Sequence, residues 1–162
     1  MKTTASHMLT SEVKLLQKAV VLHAGKLLIL KRSADSTSRA DMWDLPGGNT
    51  EWPTDTSADI RDPHRADIFR EIFEETGISI SETTPLKSVY IGSYFAAATQ
   101  IYTSIVGWQV ALPDDSAPQD VLISDEHSDF AWITPAEFDA YDFGFAGNAT
   151  GFIRKMVENA DT

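Results

Sequence analysis

The chain has no cysteine among its 162 residues. Disulfides, thiolate zinc sites and cysteine nucleophiles are excluded at once. Positive charge is also scarce: 13 lysines and arginines stand against 24 aspartates and glutamates, for a formal charge of −11. That balance argues against a nucleic-acid polymer as partner, since polymer binding needs a basic surface. It leaves a small phosphorylated ligand open, with divalent cations as mediators near any acidic stretch. No apolar run approaches the length of a bilayer span, and no secretory pattern opens the chain. We therefore expect no membrane contact and a cytoplasmic location.

What the chain does contain is a globular composition. Hydrophobic residues make up 43% and aromatics 10%, enough for a packed core rather than a disordered chain. At this length one domain is expected, and two would be cramped. The first eight residues, MKTTASHM, are polar and without pattern. They read as an N-terminal arm or an expression remnant, which leaves residues 9–162 as a single domain.

Residues 14–22 and 26–31 are apolar runs hinged at His23-Ala24-Gly25, a hairpin signal. Residues 33–41 are small and polar, a loop, and residues 42–48, MWDLPGG, read as a short strand entering a Pro-Gly-Gly turn. EWPTDTSADIRDP, residues 51–63, is polar and acid-rich with two prolines, so irregular structure is expected. Asp62-Pro63 then supplies an N-cap and a first-turn proline for a helix that runs to Thr76 and stops at Gly77. Strands are expected at residues 87–91 and within 94–112, then a polar loop over 113–129 and a short strand, FAWI, at 130–133. TPAE, residues 134–137, is a capping box that opens a short helix. A last helix, about residues 149–159, repeats apolar residues at Phe152, Ile153, Met156 and Val157. This mixture is that of one α/β domain.

The segment with the strongest chemical content is REIFEETGI, residues 70–78. Like charges three and four positions apart destabilise a helix by a few tenths of a kcal/mol per pair, so Glu71, Glu74 and Glu75 need an offset. On a helical wheel Ile68, Phe69, Ile72 and Phe73 share one face, and the three glutamates form an adjacent stripe. The apolar face would anchor the helix to a sheet and hold the carboxylates rigidly. Carboxylate oxygens suit hard cations, Mg²⁺ above all, with Mn²⁺ as a substitute. Three acids alone also fit a solvated helix face; Arg70, Gly77 and the upstream LPGG turn tip the balance towards a metal site.

REIFEETGI resembles the second half of the signature of the Nudix hydrolase family, G-x5-E-x7-R-E-U-x-E-E-x-G-U with U aliphatic, at every specified position. A chance match is on the order of one in 10⁵ for a chain of this length. The resemblance extends upstream to WDLPGGNTE, residues 43–51, and to the hairpin AVVLHAGKLLILKRS, and downstream to SDEHSDFAWITPAEF. About residues 13–157 are similar to a Nudix domain, which implies an α/β/α sandwich with a mixed β-sheet. One departure is plain. The spacing between the two halves is eight residues too long, so residues 51–63 carry an insertion. Thr54 stands where the first glutamate would fall counting from Gly48; Asp55, Asp59 and Asp62 are the candidates to replace it.

The resemblance implies hydrolysis of a nucleoside diphosphate linked to another moiety, of nucleoside triphosphate or dinucleoside polyphosphate type. It implies a nucleotide as small-molecule partner, and leaves a homodimer open. Phosphoryl transfer depends on positioning and on neutralising phosphate oxygens. Glu71, Glu74 and Glu75 would hold Mg²⁺, and one of them, or Glu126, would take the proton from water. By resemblance, the Gly47 carbonyl would be a further ligand. Arg70 would orient the carboxylates through bidentate hydrogen bonds. Arg32 and Arg39 border the first loop and are candidates to meet phosphates; a solvated strand end is the other reading of both. Tyr94 resembles in its placement a tyrosine of the family's dinucleoside-polyphosphate hydrolases. Trp43, Trp52, Tyr94, Phe95 and Trp108 are candidates to stack on a nucleobase, though burial suits any one of them better. His23, His64 and His127 lack ligand spacing and read as surface or turn residues. An isomerase on the same fold would by resemblance use a cysteine and is set aside. The alternative to an enzyme is a non-catalytic nucleotide sensor, which would be expected to lose signature acids or carry a DNA-binding domain.

Overall fold

The computed structural model describes residues 12–51, 53–114 and 120–162. The N-terminal arm, Trp52 and part of the loop expected over 113–129 lie outside the described residues. Two long strands open the fold, β1 (Glu12–His23) and β2 (Lys26–Arg32). Ala24 and Gly25, both at positive φ, make the tight turn between them, as a two-residue hairpin requires. The apolar runs are buried on both faces. Ala19 and Val21 pack with Leu28 and Leu30 on one side; Val20 and Leu22 pack with Leu27 and Ile29 on the other.

The helix expected after the insertion is α1 (Pro63–Thr76). Gly77 ends it at φ 71, with its N–H on the Phe73 carbonyl. Asp62 holds the N-cap position but does not cap: it sits in the left-handed region and makes no side-chain cap bond. Ile68 and Ile72 are fully buried and Phe69 nearly so, each contributing roughly 2 kcal/mol of apolar burial. The apolar stripe is narrower than expected. Phe73 is 53% exposed, while Glu75, on the other flank, is buried.

Next come β4 (Lys87–Ala96), β5 (Ile101–Ala111) and β6 (His127–Ile133), the last starting three residues earlier than FAWI suggests. Between β2 and α1 lies β3 (Trp43–Asp44), only two residues long. The capping box opens a 3-10 helix, Pro135–Ala140, with the Thr134 N–H and hydroxyl both on Glu137 Oε2. A second 3-10 turn, Gly144–Gly147, has no forecast in the sequence. The final helix, α2 (Phe152–Asn159), begins three residues later than the expected range, at the first residue of its apolar repeat. No helix among the described residues is long and apolar enough to cross a membrane.

The mixed sheet runs β3-β2-β1-β5-β4, with β6 also paired to β2. β1 is parallel to β5 over eleven residue pairs, and the other pairings are antiparallel. One face is covered by α1 and the other by α2 with the 3-10 segments, a sandwich of α/β/α layers.

One irregularity positions everything functional. β1 and β2 pair only at Leu22–Leu27 and His23–Lys26, beside their turn, and then diverge. Residues 43–50 fill the opening. Trp43 and Asp44 pair with β2. The next residues cross to β1: Pro46 O accepts from Ala19 N, Gly48 O from Gln17 N, and Thr50 N donates to Leu15 O. Gly47 is the pivot at φ 125, where a Cβ would stand 2.3 Å from the Gln17 carbonyl oxygen. Only glycine fits there.

The insertion is a surface excursion whose ends meet. Residues 54–63 are exposed, and among the described residues Asp55 bonds locally, to Ser57. Gln17 Nε2 reaches both Thr50 Oγ1 at 2.7 Å and the His64 carbonyl at 3.4 Å, so the flanks of the excursion are already adjacent. Deleting residues 54–61 should therefore leave the midpoint of thermal unfolding within about 4 °C, the scale of 1 kcal/mol. Circular dichroism melting checks this; loss of the cooperative transition would show the excursion to be structural.

Candidate active site

α1 presents its acids to the Pro-Gly-Gly turn in three different environments. Glu75 is buried, and its Oε2 accepts the Gly47 N–H at 2.7 Å. Burial pushes its pKa up to about 7, against the pull of Lys18 and the Gly47 bond. Glu71, one turn earlier, packs on Gly48 so closely that a Cβ there would lie 3.0 Å from its Oε2. Burial raises its pKa too, and Arg70 opposes the rise. The Glu74 side chain is 54% exposed.

Arg70 ties the acids together. It donates to Asp67 at 2.8 Å, Glu71 at 2.9 Å and Glu74 at 2.6 Å. Glu75 is oriented by the glycine turn instead. Asp55, Asp59 and Asp62, the candidates for the displaced acid, line no part of the cleft described below, whereas Glu51 does and stands 3.7 Å from Arg70.

Beneath the turn lies a cluster whose grouping the sequence does not show. Asp44 is fully buried, and three cations meet its Oδ2: Lys18 at 3.0 Å, Arg39 at 2.5 Å and Arg32 at 3.4 Å. Burial alone would raise the Asp44 pKa, but the three cations outweigh it and hold the carboxyl below its usual 3.8. Lys18 also donates to the carbonyls of Leu45 (3.1 Å) and Gly47 (2.7 Å). Lysine in the middle of the apolar run QKAVVL was the available signal for this cluster. The pairing with Asp44, 26 residues away, was not readable.

A cleft of about 1040 Å³ opens over these groups. Glu71, Glu75, Glu51 and Glu126 line it along with Lys14, Lys18, Arg32 and Arg39. Glu126 is an exposed residue of the turn before β6. Tyr94 and Phe145, both about two-thirds exposed, also line it. Phe145 lies in the unforecast 3-10 turn and carries the Arg39 guanidinium 5.8 Å from its ring centre. Glu74 lies outside this lining. Of the other aromatic candidates, Trp43 packs edge-on against Tyr141, Trp108 stacks on His64 while bonding Gln17, and Phe95 is 41% exposed on β4 outside the cleft lining.

His127 is a correction. It is buried, not a surface residue, with Nε2 3.9 Å from Glu75 Oε1 and Nδ1 3.3 Å from Ser124 Oγ. Burial and the nearby Lys18 push its pKa down to about 4, so the ring is neutral at pH 7. His23 meets Trp132 edge-on, 6.0 Å between ring centres.

Among the described residues, no three acidic or imidazole groups converge closely enough to enclose a metal ion as they stand. Glu75 is bonded to Gly47, and Glu71 and Glu74 to Arg70. The donor chemistry nonetheless suits a hard cation, because the Glu71 and Glu75 carboxylates face one turn and line one cleft.

The NUDIX domain family matches residues 17–156. Among solved structures, the chain is similar to the MutT NUDIX hydrolase from Burkholderia pseudomallei, with 19% identity and a TM-score of 0.65 over 93% of this chain and 99% of that one. It is similar to the MutT protein from Methanosarcina mazei Go1, at 22% identity and a TM-score of 0.64 over 91% of both. A C. elegans Ap4A hydrolase shows 20% identity and a TM-score of 0.61 over 90% of this chain and 93% of that one. At these identities the likeness is one of fold. No curated protein matches the chain.

The Asp44 cluster generates a stability prediction. Asp44→Asn leaves buried cations without their counter-charge and should cost on the order of 3 kcal/mol. Because the folded pKa of Asp44 is depressed, its contribution is complete above the unfolded value near 4 and is lost as pH falls through the folded one. Urea unfolding across pH 2–6, taken as approximate bounds around that value, should show wild-type stability dropping below about pH 4. The variant should show a shallower slope. Equal slopes would mean that the cluster does not carry this dependence.

Proposed function

The chain belongs to the NUDIX family of hydrolases, and from that premise we propose that it cleaves the pyrophosphate of a nucleoside diphosphate linked to a further group, with Mg²⁺ as the metal. Hydrolases of this family generally use divalent cations; the choice of Mg²⁺ rests on the all-oxygen donor set of Glu71, Glu74 and Glu75. The observation that carries the substrate assignment is Arg39. It lines the cleft with its side chain only 11% exposed, and its Nη1 is buried without a hydrogen-bond partner among the described residues. Such a donor is costly unless an anion completes it. Asp44 offsets only one of the three cations around it, so this part of the cleft lining keeps a net positive charge beside the glutamates. Phosphate oxygens would meet these cations, and a cation held by the glutamates would neutralise the rest of a polyphosphate chain.

Glu71, Glu74 and Glu75 would hold the cation, which supplies charge neutralisation at the phosphate oxygens and a more acidic water. Arg70 keeps Glu71 and Glu74 oriented. The attacking water forms a new P–O bond as the anhydride P–O bond breaks. Its proton passes to a carboxylate, for which we assign Glu126, a cleft acid bonded neither to Arg70 nor to the glycine turn among the described residues. Arg32 and Arg39 bind phosphate oxygens, and Tyr94 and Phe145 offer ring faces to a base. The likeness to an Ap4A hydrolase and the placement of Tyr94 make dinucleoside polyphosphates a substrate class to test beside nucleoside triphosphates.

A panel of both classes, assayed with Mg²⁺ and with Mn²⁺, tests the reading. We expect release of a nucleoside monophosphate or diphosphate from at least one, and no turnover on any would overturn the assignment. Glu126→Gln should lower kcat strongly with little change in KM, since proton transfer belongs to the transition state. A change under about twofold in both constants would remove Glu126 from the site. Arg39→Gln should instead raise KM about tenfold to a hundredfold, the worth of a charged hydrogen bond. A selective fall in kcat there would contradict the phosphate-holding role.

A further inference from the structure

Lys18 stands in the interior of β1, flanked by Gln17 and Ala19, and is 4% exposed. Burying an ammonium costs several kcal/mol unless its donors are satisfied. All three are: Nζ reaches Asp44 Oδ2 at 3.0 Å, the Leu45 carbonyl at 3.1 Å and the Gly47 carbonyl at 2.7 Å. Three acceptors match the three N–H donors of an ammonium group. The cage is made wholly of oxygens, two carbonyls and a carboxylate, which is the donor set a hard cation seeks. Its spacing fits an ammonium; Mg²⁺ would need oxygens at about 2.0–2.1 Å. Asp44 retains Arg39 and Arg32 as partners, so it does not need Lys18 for pairing alone.

The position is the informative part. Gly47 is held from two sides, its N–H by Glu75 and its C=O by Lys18. The Gly47 carbonyl is also the atom that the family resemblance offers as a metal ligand. We propose that Lys18 is a resident cation of the cleft, taking the place of one divalent ion at the Gly47 carbonyl, so that this chain binds one divalent cation fewer than it would with an apolar residue at position 18. This rests on the reading that Glu71 and Glu75 hold a divalent cation. The fixed ammonium neutralises the inner end of the acid cluster, and the remaining carboxylate oxygens serve the ions that arrive from solvent.

Mn²⁺ binding to the full chain without substrate, followed by the electron paramagnetic resonance signal of free Mn²⁺, tests this independently of turnover. Wild type should bind Mn²⁺ through the glutamates. Lys18→Met keeps an unbranched side chain, one atom shorter, and removes the charge. It should bind about one further Mn²⁺ per chain, or bind at least about tenfold more tightly, as loss of a nearby positive charge requires. A folded variant with wild-type stoichiometry and affinity overturns the proposal. If neither protein binds Mn²⁺, the carboxylate reading falls and this inference with it. A second measurement uses wild type alone, so that a variant that fails to fold leaves the question decided. The protected ammonium of Lys18 should give a slowly exchanging ¹⁵N resonance that persists at saturating Mg²⁺. Its release to solvent exchange on Mg²⁺ addition would show that the metal displaces Lys18, and would overturn the proposal.

Discussion

A single buried negative charge, that of Asp44, constrains the arrangement of the cleft. Leaving a carboxylate uncompensated in the interior would cost several kcal/mol, so cations must converge on it. They come from three places: Lys18 from β1, Arg32 from the end of β2 and Arg39 from the following loop. The same carboxylate therefore fixes one strand against another and closes the first loop over both. Its other oxygen accepts the Leu45 N–H, which starts the chain into the Pro-Gly-Gly turn. One electrostatic centre thus ties together two strands, the first loop and the start of the turn.

The turn depends on that centre and transmits it to α1. Gly47 has no side chain because the Gln17 carbonyl occupies the space. Its freed backbone groups become connectors, with Lys18 on one side and Glu75 on the other. α1 is held by Ile68, Phe69 and Ile72 against the sheet, and the bond to Glu75 sets its C-terminal end against the turn. Rigid apolar packing on one flank and a single charged hydrogen bond on the other give the acids a defined position. That is what catalysis by positioning requires.

The charge of the chain as a whole is acidic, yet the cleft is divided. Its acids come mostly from α1 and its approaches, while its cations come from β1, β2 and the first loop. Confining the positive charge to a cleft, on a surface that is acidic on average, is the arrangement that the proposed small phosphorylated substrate would need.

The sequence by itself determined the elements that depend on neighbours in the chain. The Ala24-Gly25 turn, the Pro63 start and Gly77 stop of α1, and the spacing of Arg70, Glu71, Glu74 and Glu75 are local. Propensity and periodicity carry that information, and the resemblance to the family followed from it. Details slipped where tertiary packing overrode local pattern: Asp62 does not cap, and Phe73 faces solvent while Glu75 is buried. What only the tertiary structure decided is which charges meet. Lys18 lies 26 residues from Asp44, and His127 lies 52 residues from Glu75; each pair is made by the fan between β1 and β2 or by the return of β6. Burial then sorts three chemically identical glutamates into a buried one, a half-buried one and an exposed one. Desolvation depends on the atoms packed around a carboxylate, and those atoms come from chain segments that no local pattern brings together.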